Sequence, residues 1–212
     1  MSISEIVKAR GITEVIHFTT NHGMLGILVT NALLPNSKLK EEDTLAFIFK
    51  QNSETRKEKN RKWLDYVNLS ISKLNQSFYD YSEYRHRAQE MFWVILSFSP
   101  DILEHEGVYF ATTNNIYPSC KRGTGAEALE FMFADPVEGF YQNLFYRNEE
   151  HKDSWTTCEQ AEVLYPDSLA LDYLNHIYVK DEISKHGVKA QMSALNYKEL
   201  SVIVAPEKFK TS

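Results

Sequence analysis

Hydrophobic and polar positions alternate most clearly at residues 66–72. Val67, Leu69 and Ile71 are interleaved there with Asn68, Ser70 and Ser72. A period of two predicts a strand with one buried and one polar face. The polar side chains are small, which suits the wall of a cleft better than open water. Residues 92–98, Phe-Trp-Val-Ile-Leu-Ser-Phe, are apolar almost without a break and predict a central strand. Shorter runs predict strands at 14–18, 108–111, 161–165, 176–179 and 201–204. Met24, Leu25, Ile27 and Leu28 predict the apolar face of a helix over 22–31, capped by Thr20 or Asn21. A short helix follows a loop within 123–133, with Leu129, Met132 and Phe133 inward. Residues 40–62 predict a charged helix or a mobile loop. Strands interrupted by helices, without regular βαβ alternation, predict an α+β fold. No repeat and no Pro/Gly/Ser linker divides the chain, so residues 1–212 read as a single domain.

One run contains a misfit. In Ala161-Glu162-Val163-Leu164-Tyr165 an acid interrupts an otherwise buried strand. A carboxylate in apolar surroundings costs several kcal/mol unless it is paired, hydrogen-bonded or turned into a cleft. Glu162 is therefore a candidate site residue. His17 and Thr19 end the first strand, and Arg61 and Asp65 precede the polar-faced one. Singly, each has an ordinary structural reading: a satisfied core histidine, or a solvated charge.

Composition narrows the choice of chemistry. The 212 residues carry a net charge of −6, against non-specific coating of a duplex. The charge is uneven: residues 50–62 hold six Lys/Arg against two Glu, and residues 127–167 hold ten Asp/Glu against two Lys/Arg. Arg85-His86-Arg87 and Lys121-Arg122 form two further basic islands. Such a distribution suits a short phosphate chain, or a merely solvated face. Cys120 and Cys158 form no CxxC pair and no histidine sits at zinc spacing, so no metal is expected. Two reduced thiols, no signal peptide at the start of the chain and no long apolar run predict a cytoplasmic protein without a membrane span. P-loop, GxGxxG, GxSxG and HExxH motifs are all absent.

Four segments stand in order: HFTTNHGMLGIL at 17–28, RKWLDYVNLSISKLNQSFY at 61–79, FWVILSFSPDILEHEGVYFATTNN at 92–115 and EQAEVLYP at 159–166. Together they resemble the DarT family of ADP-ribosyltransferases. The family attaches ADP-ribose from NAD to bases of single-stranded DNA. The resemblance implies an ADP-ribosyltransferase-like fold, with a central split mixed or antiparallel sheet of about six strands and inserted helices. It implies Glu162 as the catalytic glutamate. Arg61, with Arg56 as its rival, would meet the NAD diphosphate and serve catalysis. His17, Thr19, Tyr66 and Ser70 would line the NAD site. The chain departs from the pattern in its polar-faced strand, where Asn68-Leu69-Ser70-Ile71 replaces a more aromatic run. That leaves open which base is modified.

The chemistry agrees with the resemblance. Breaking the bond between nicotinamide and ribose builds positive charge on the sugar, which a nearby carboxylate stabilises. NAD enters as co-substrate, and no metal is needed. Arg85, Arg87, Asn114, Lys121 and Arg122 are candidates for holding single-stranded DNA, with 40–62 and 114–125 as substrate-facing loops. RNA or a protein side chain are alternative acceptors, and an inactive NAD- or nucleic-acid-binding module is a third reading. A toxin or phage-defence effector, countered by an antitoxin that removes ADP-ribose, is the setting that the family implies.

Overall fold

The structure is a computed structural model that describes residues 1–39 and 61–210. Eight strands form one sheet: β1 (Val15–Thr20), β2 (Tyr66–Ile71), β3 (Trp93–Phe98), β4 (Tyr109–Ala111), β5 (Arg122–Gly123), β6 (Glu162–Pro166), β7 (Leu174–Val179) and β8 (Val202–Val204). Their spatial order is β8-β7-β3-β1-β2-β6-β4-β5. Only β7 and β8 run parallel; every other neighbouring pair is antiparallel. The sheet thus exceeds the expected six or so strands. The eighth, β5, is two residues long and too short to leave a periodic signal.

The ladder lengths reveal two half-sheets. β1 pairs with β3 over six residues and β2 with β6 over four, but β1 and β2 share only Val15↔Ile71 and Ile16↔Ser70. Beyond Ile16 the two strands part, and the sheet is split there. This is the expected split α+β core.

The register assigns the faces. Val15, Val94, Leu96, Phe98, Val67, Leu69, Ile71 and Val163 face one large core. Against it pack α1 (Ile3–Ala9), α2 (Asn21–Thr30), α4 (Gly125–Phe131) and α5 (Glu182–Ala194). The other face of β1 and β3, with Ile16, Phe18, Trp93 and Ile95, is covered by α3 (Gln76–His86) and Phe209. Tyr79 of α3 is fully buried there, edge-on to Phe18, Trp93 and Phe209. That cover stops at the split. On the other half-sheet the same face carries Asn68, Glu162 and Leu164.

Leu25 was expected inside α2 but is 39 % exposed, while Met24, Ile27 and Leu28 are buried. The helix is apolar all round, so periodicity left its inner face underdetermined. Three helices were not foreseen. The inner stripe of α3 is Tyr79, Ser82 and His86, a helical spacing without aliphatic residues. Asn75 caps it by accepting from the Phe78 N–H. In α5 the stripe is Ser184, Val188 and Met192, capped by Asp181. In α1 only Ile6 is buried, and the legible signal was the reciprocal Ser2/Glu5 cap.

Candidate active site

Glu162 opens β6 at the split. Asn68 Nδ2 donates to its Oε1 at 3.0 Å, and the Asn115 backbone N–H donates to its Oε2 at 2.8 Å. Burial pushes the carboxyl above the ordinary glutamate range. The Asn115 and Asn68 hydrogen bonds and the nearby Arg122 charge work the other way. The group is held as an acceptor by fixed donors, with a raised affinity for a proton. That suits a carboxylate that stabilises positive charge or takes up a proton.

His17 lies on β1 just where the β1–β2 ladder ends. Its Nδ1 lies 2.9 Å from the Asn68 carbonyl oxygen. A carbonyl only accepts, so Nδ1 carries the proton. Burial holds the ring below the usual histidine range, so it is neutral near pH 7. Nε2 is then left as an acceptor. Asn68 therefore touches both residues, its backbone positioning His17 and its side chain positioning Glu162. Sequence reasoning placed Asn68 on the cleft-facing side of its strand but did not name it as a site residue.

The turn after β4 is a rigid second wall. Thr112, Thr113 and Asn115 are buried. Arg122 Nε donates to the Asn115 carbonyl at 2.9 Å, and its Nη2 to the Tyr117 carbonyl at 3.1 Å. Arg122 thus braces the turn that holds Glu162. Asn114 closes the turn by accepting from the Ile116 N–H. Cys158 and Cys120 donate to Thr113, and burial pushes both thiols up, as expected of inert cysteines.

The remaining sequence candidates scatter. Ser70 is half-buried beside Ile16 at the last rung before the split. Tyr66 packs edge-on with Trp63 and Tyr109, on the face that carries Glu162. Arg61 stands exposed in the short turn Arg61–Trp63, with no hydrogen bond or ion pair among the described residues. Arg56 and the basic stripe up to residue 60 lie outside the described residues. Arg85 and Arg87 lie at the end of α3, over the rings of Tyr81 and Tyr84. Lys121 is exposed, over Phe131.

Thr19 is buried and packs against α2. Its register partner is Val94, on the large-core side. Thr20, next to it, caps α2 by accepting from the Gly23 N–H. A Cβ on Gly23 would sit 2.2 Å from Thr19 Oγ1. Gly23→Ala is expected to destabilise the fold by about 1–3 kcal/mol through overpacking, read as a lowered Tm in thermal denaturation.

The family model described as ssDNA thymidine ADP-ribosyltransferase, DarT, matches residues 16–210. The chain belongs to the DarT family. Membership makes it an ADP-ribosyltransferase of single-stranded DNA. Solved DarT structures share the fold. A Thermus sp. 2.9 DarT in complex with ADP-ribosylated ssDNA is 14 % identical with a TM-score of 0.65, the match covering 94 % of this chain and 97 % of that one. The same DarT in complex with NAD+ is 16 % identical at a TM-score of 0.63, over 93 % and 98 %. Thermosipho africanus DarTG in complex with ADP-ribose is 15 % identical at a TM-score of 0.60, and the match covers 93 % of this chain but 51 % of that one. No curated protein matches. No described helix of this DarT is long and apolar enough to cross a membrane.

Proposed function

We propose that residues 1–212 form one cytoplasmic domain that transfers ADP-ribose from NAD to thymine in single-stranded DNA, with Glu162 as the catalytic carboxylate. The observation that carries this reading is Glu162 at the sheet split, held by the Asn68 side chain and the Asn115 N–H, with His17 bonded to the Asn68 backbone beside them. The site offers groups that fit the nicotinamide ribose. They are the His17 Nε2 acceptor, the Ser70 hydroxyl and Asn115 Oδ1, which is buried without a partner among the described residues. Arg61 is assigned to the diphosphate, because its exposed guanidinium has no partner among the described residues.

The bond between the nicotinamide nitrogen and ribose C1′ breaks, and its electron pair leaves with neutral nicotinamide. A ring nitrogen of thymine forms the new bond to C1′, and the proton it carried passes to Glu162 and on to solvent. Glu162 acts twice, first opposing the positive charge on the sugar and then accepting the proton. Asn114, Lys121 and Arg122 would meet the acceptor strand on one side of the cleft. Arg85 and Arg87, stacked on tyrosines, would meet it on the other. As in a toxin–antitoxin pair, an enzyme that removes ADP-ribose would be the natural antagonist.

The pH profile follows from the two half-buried groups. Protonating Glu162 removes the base, and protonating His17 removes its acceptor nitrogen. The Glu162 carboxyl is raised, so activity is expected to fall on the acid side at a higher pH than an ordinary glutamate would give. A rate profile flat from pH 4 to 8 contradicts this assignment. The reaction itself is tested by mass spectrometry of DNA and RNA oligonucleotides incubated with NAD. The reading requires a gain of one ADP-ribose on thymine-containing single-stranded DNA. A gain on RNA alone moves the acceptor, and a gain on neither overturns the proposal.

A further inference from the structure

Two short strands, Val137–Glu138 and Leu144–Phe145, form a hairpin outside the main sheet. Its tip is a four-residue turn, Phe140 to Asn143. The Asn143 N–H donates to the Phe140 carbonyl at 3.2 Å, and the Gly139 N–H donates to the Asn143 carbonyl at 2.8 Å. The central residues, Tyr141 and Gln142, both have positive φ, 52° and 62°. Both central positions therefore lie in the left-handed region, as in a type I′ turn, where Asn and Gly are preferred. A bulky residue in that region is an outlier. Tyr141 gains nothing from burial to offset it, because it is 82 % exposed. Strain kept at an exposed aromatic points to use by a ligand.

The tip is also tied to the active site. The Tyr141 ring lies over Phe140 at 4.0 Å, and Phe140 lies on Tyr117 at 4.8 Å with 30° between the planes. Tyr117 belongs to the same turn as Asn115, which holds Glu162. Ser119, on that turn, donates to the Gly139 carbonyl at 2.8 Å. Gly139 permits the fit, since a Cβ there would stand 2.3 Å from the Phe145 ring. The result is a row of three rings, one end on the catalytic turn and the other in solvent. The surrounding segment, residues 127–167, carries ten Asp/Glu against two Lys/Arg, so it is poorly suited to phosphate. The π-face of a base has no such conflict.

We propose that Tyr141 stacks on a base of the acceptor strand that flanks the one being modified. This rests on single-stranded DNA as the acceptor. The test is the double variant Tyr141→Asn with Gln142→Gly, which removes the ring and installs the preferred turn. Its Tm is expected to equal or exceed that of the wild type, and its NAD affinity by calorimetry to be unchanged. The KM for a single-stranded DNA oligonucleotide is expected to rise about tenfold, the scale of one lost base stack. The slope of log KM against log salt should stay as in the wild type, because no charge is removed. Tyr141→Phe should retain the wild-type KM. If the wild type labels DNA and the double variant labels it with the same KM, the proposal falls alone, and the exposed ring is left to a protein partner. If the wild type labels no oligonucleotide, the acceptor reading falls and takes this one with it.

Discussion

Glu162→Gln is expected to slow ADP-ribose transfer to single-stranded DNA by about 10²–10⁴-fold while leaving the protein folded. The substitution keeps size and shape and removes only the negative charge and the base. The rate loss therefore reports the stabilisation that the carboxylate gives the cationic transition state. Stability should move the other way, or not at all. The folded carboxyl is raised by burial, so it holds its proton to a higher pH than it does in the unfolded chain. Folding stability then falls as pH rises through that window, and the wild type carries the penalty once the carboxyl is ionised. Gln carries none of it, although one of its two polar atoms must face a donor. Initial rates with labelled NAD, beside thermal denaturation at pH 7, separate the two effects. A folded variant within a few-fold of the wild-type rate excludes Glu162 as the catalytic group.

Asn68→Asp is expected to move the acid limb of the pH–rate profile upward by about 1–2 units and to lower the rate at pH 7 at least tenfold. Asn68 Nδ2 is 3.0 Å from Glu162 Oε1, so the new carboxylate would occupy the place of a donor. Two carboxylates at that separation do not both ionise near neutrality. They share a proton and titrate as a pair. Asn68→Ala is the control, since it removes the donor without adding charge and should shift the limb less. Coincident profiles for the wild type and Asn68→Asp mean that the contact does not tune Glu162. Both variants leave the backbone carbonyl that orients His17.

Apart from β5, the strands of the half-sheets were legible because each has buried positions. Burial forces either alternation, as in Tyr66–Ile71, or a nearly continuous apolar run, as in Trp93–Phe98. Glu162 was legible for the complementary reason, as a charge where the pattern demanded an apolar side chain. Helix α3 was not legible, because its buried stripe is Tyr79, Ser82 and His86, polar-looking residues that the fold satisfies one by one. The surroundings of Thr19 were not legible either: only the fold shows that it packs against Gly23 of α2.

The sequence by itself determined the α+β class, the strand that carries the acid and, through ordered motifs, membership in the DarT family. Local periodicity and a misplaced charge are properties of short segments, and they survive without a fold. Only the tertiary structure decided what surrounds Glu162. Asn68 lies 94 positions away along the chain and Asn115 lies 47. The split that admits them arises because the β1–β2 ladder ends after two rungs. Where a ladder ends depends on how both half-sheets pack, and no single segment records it.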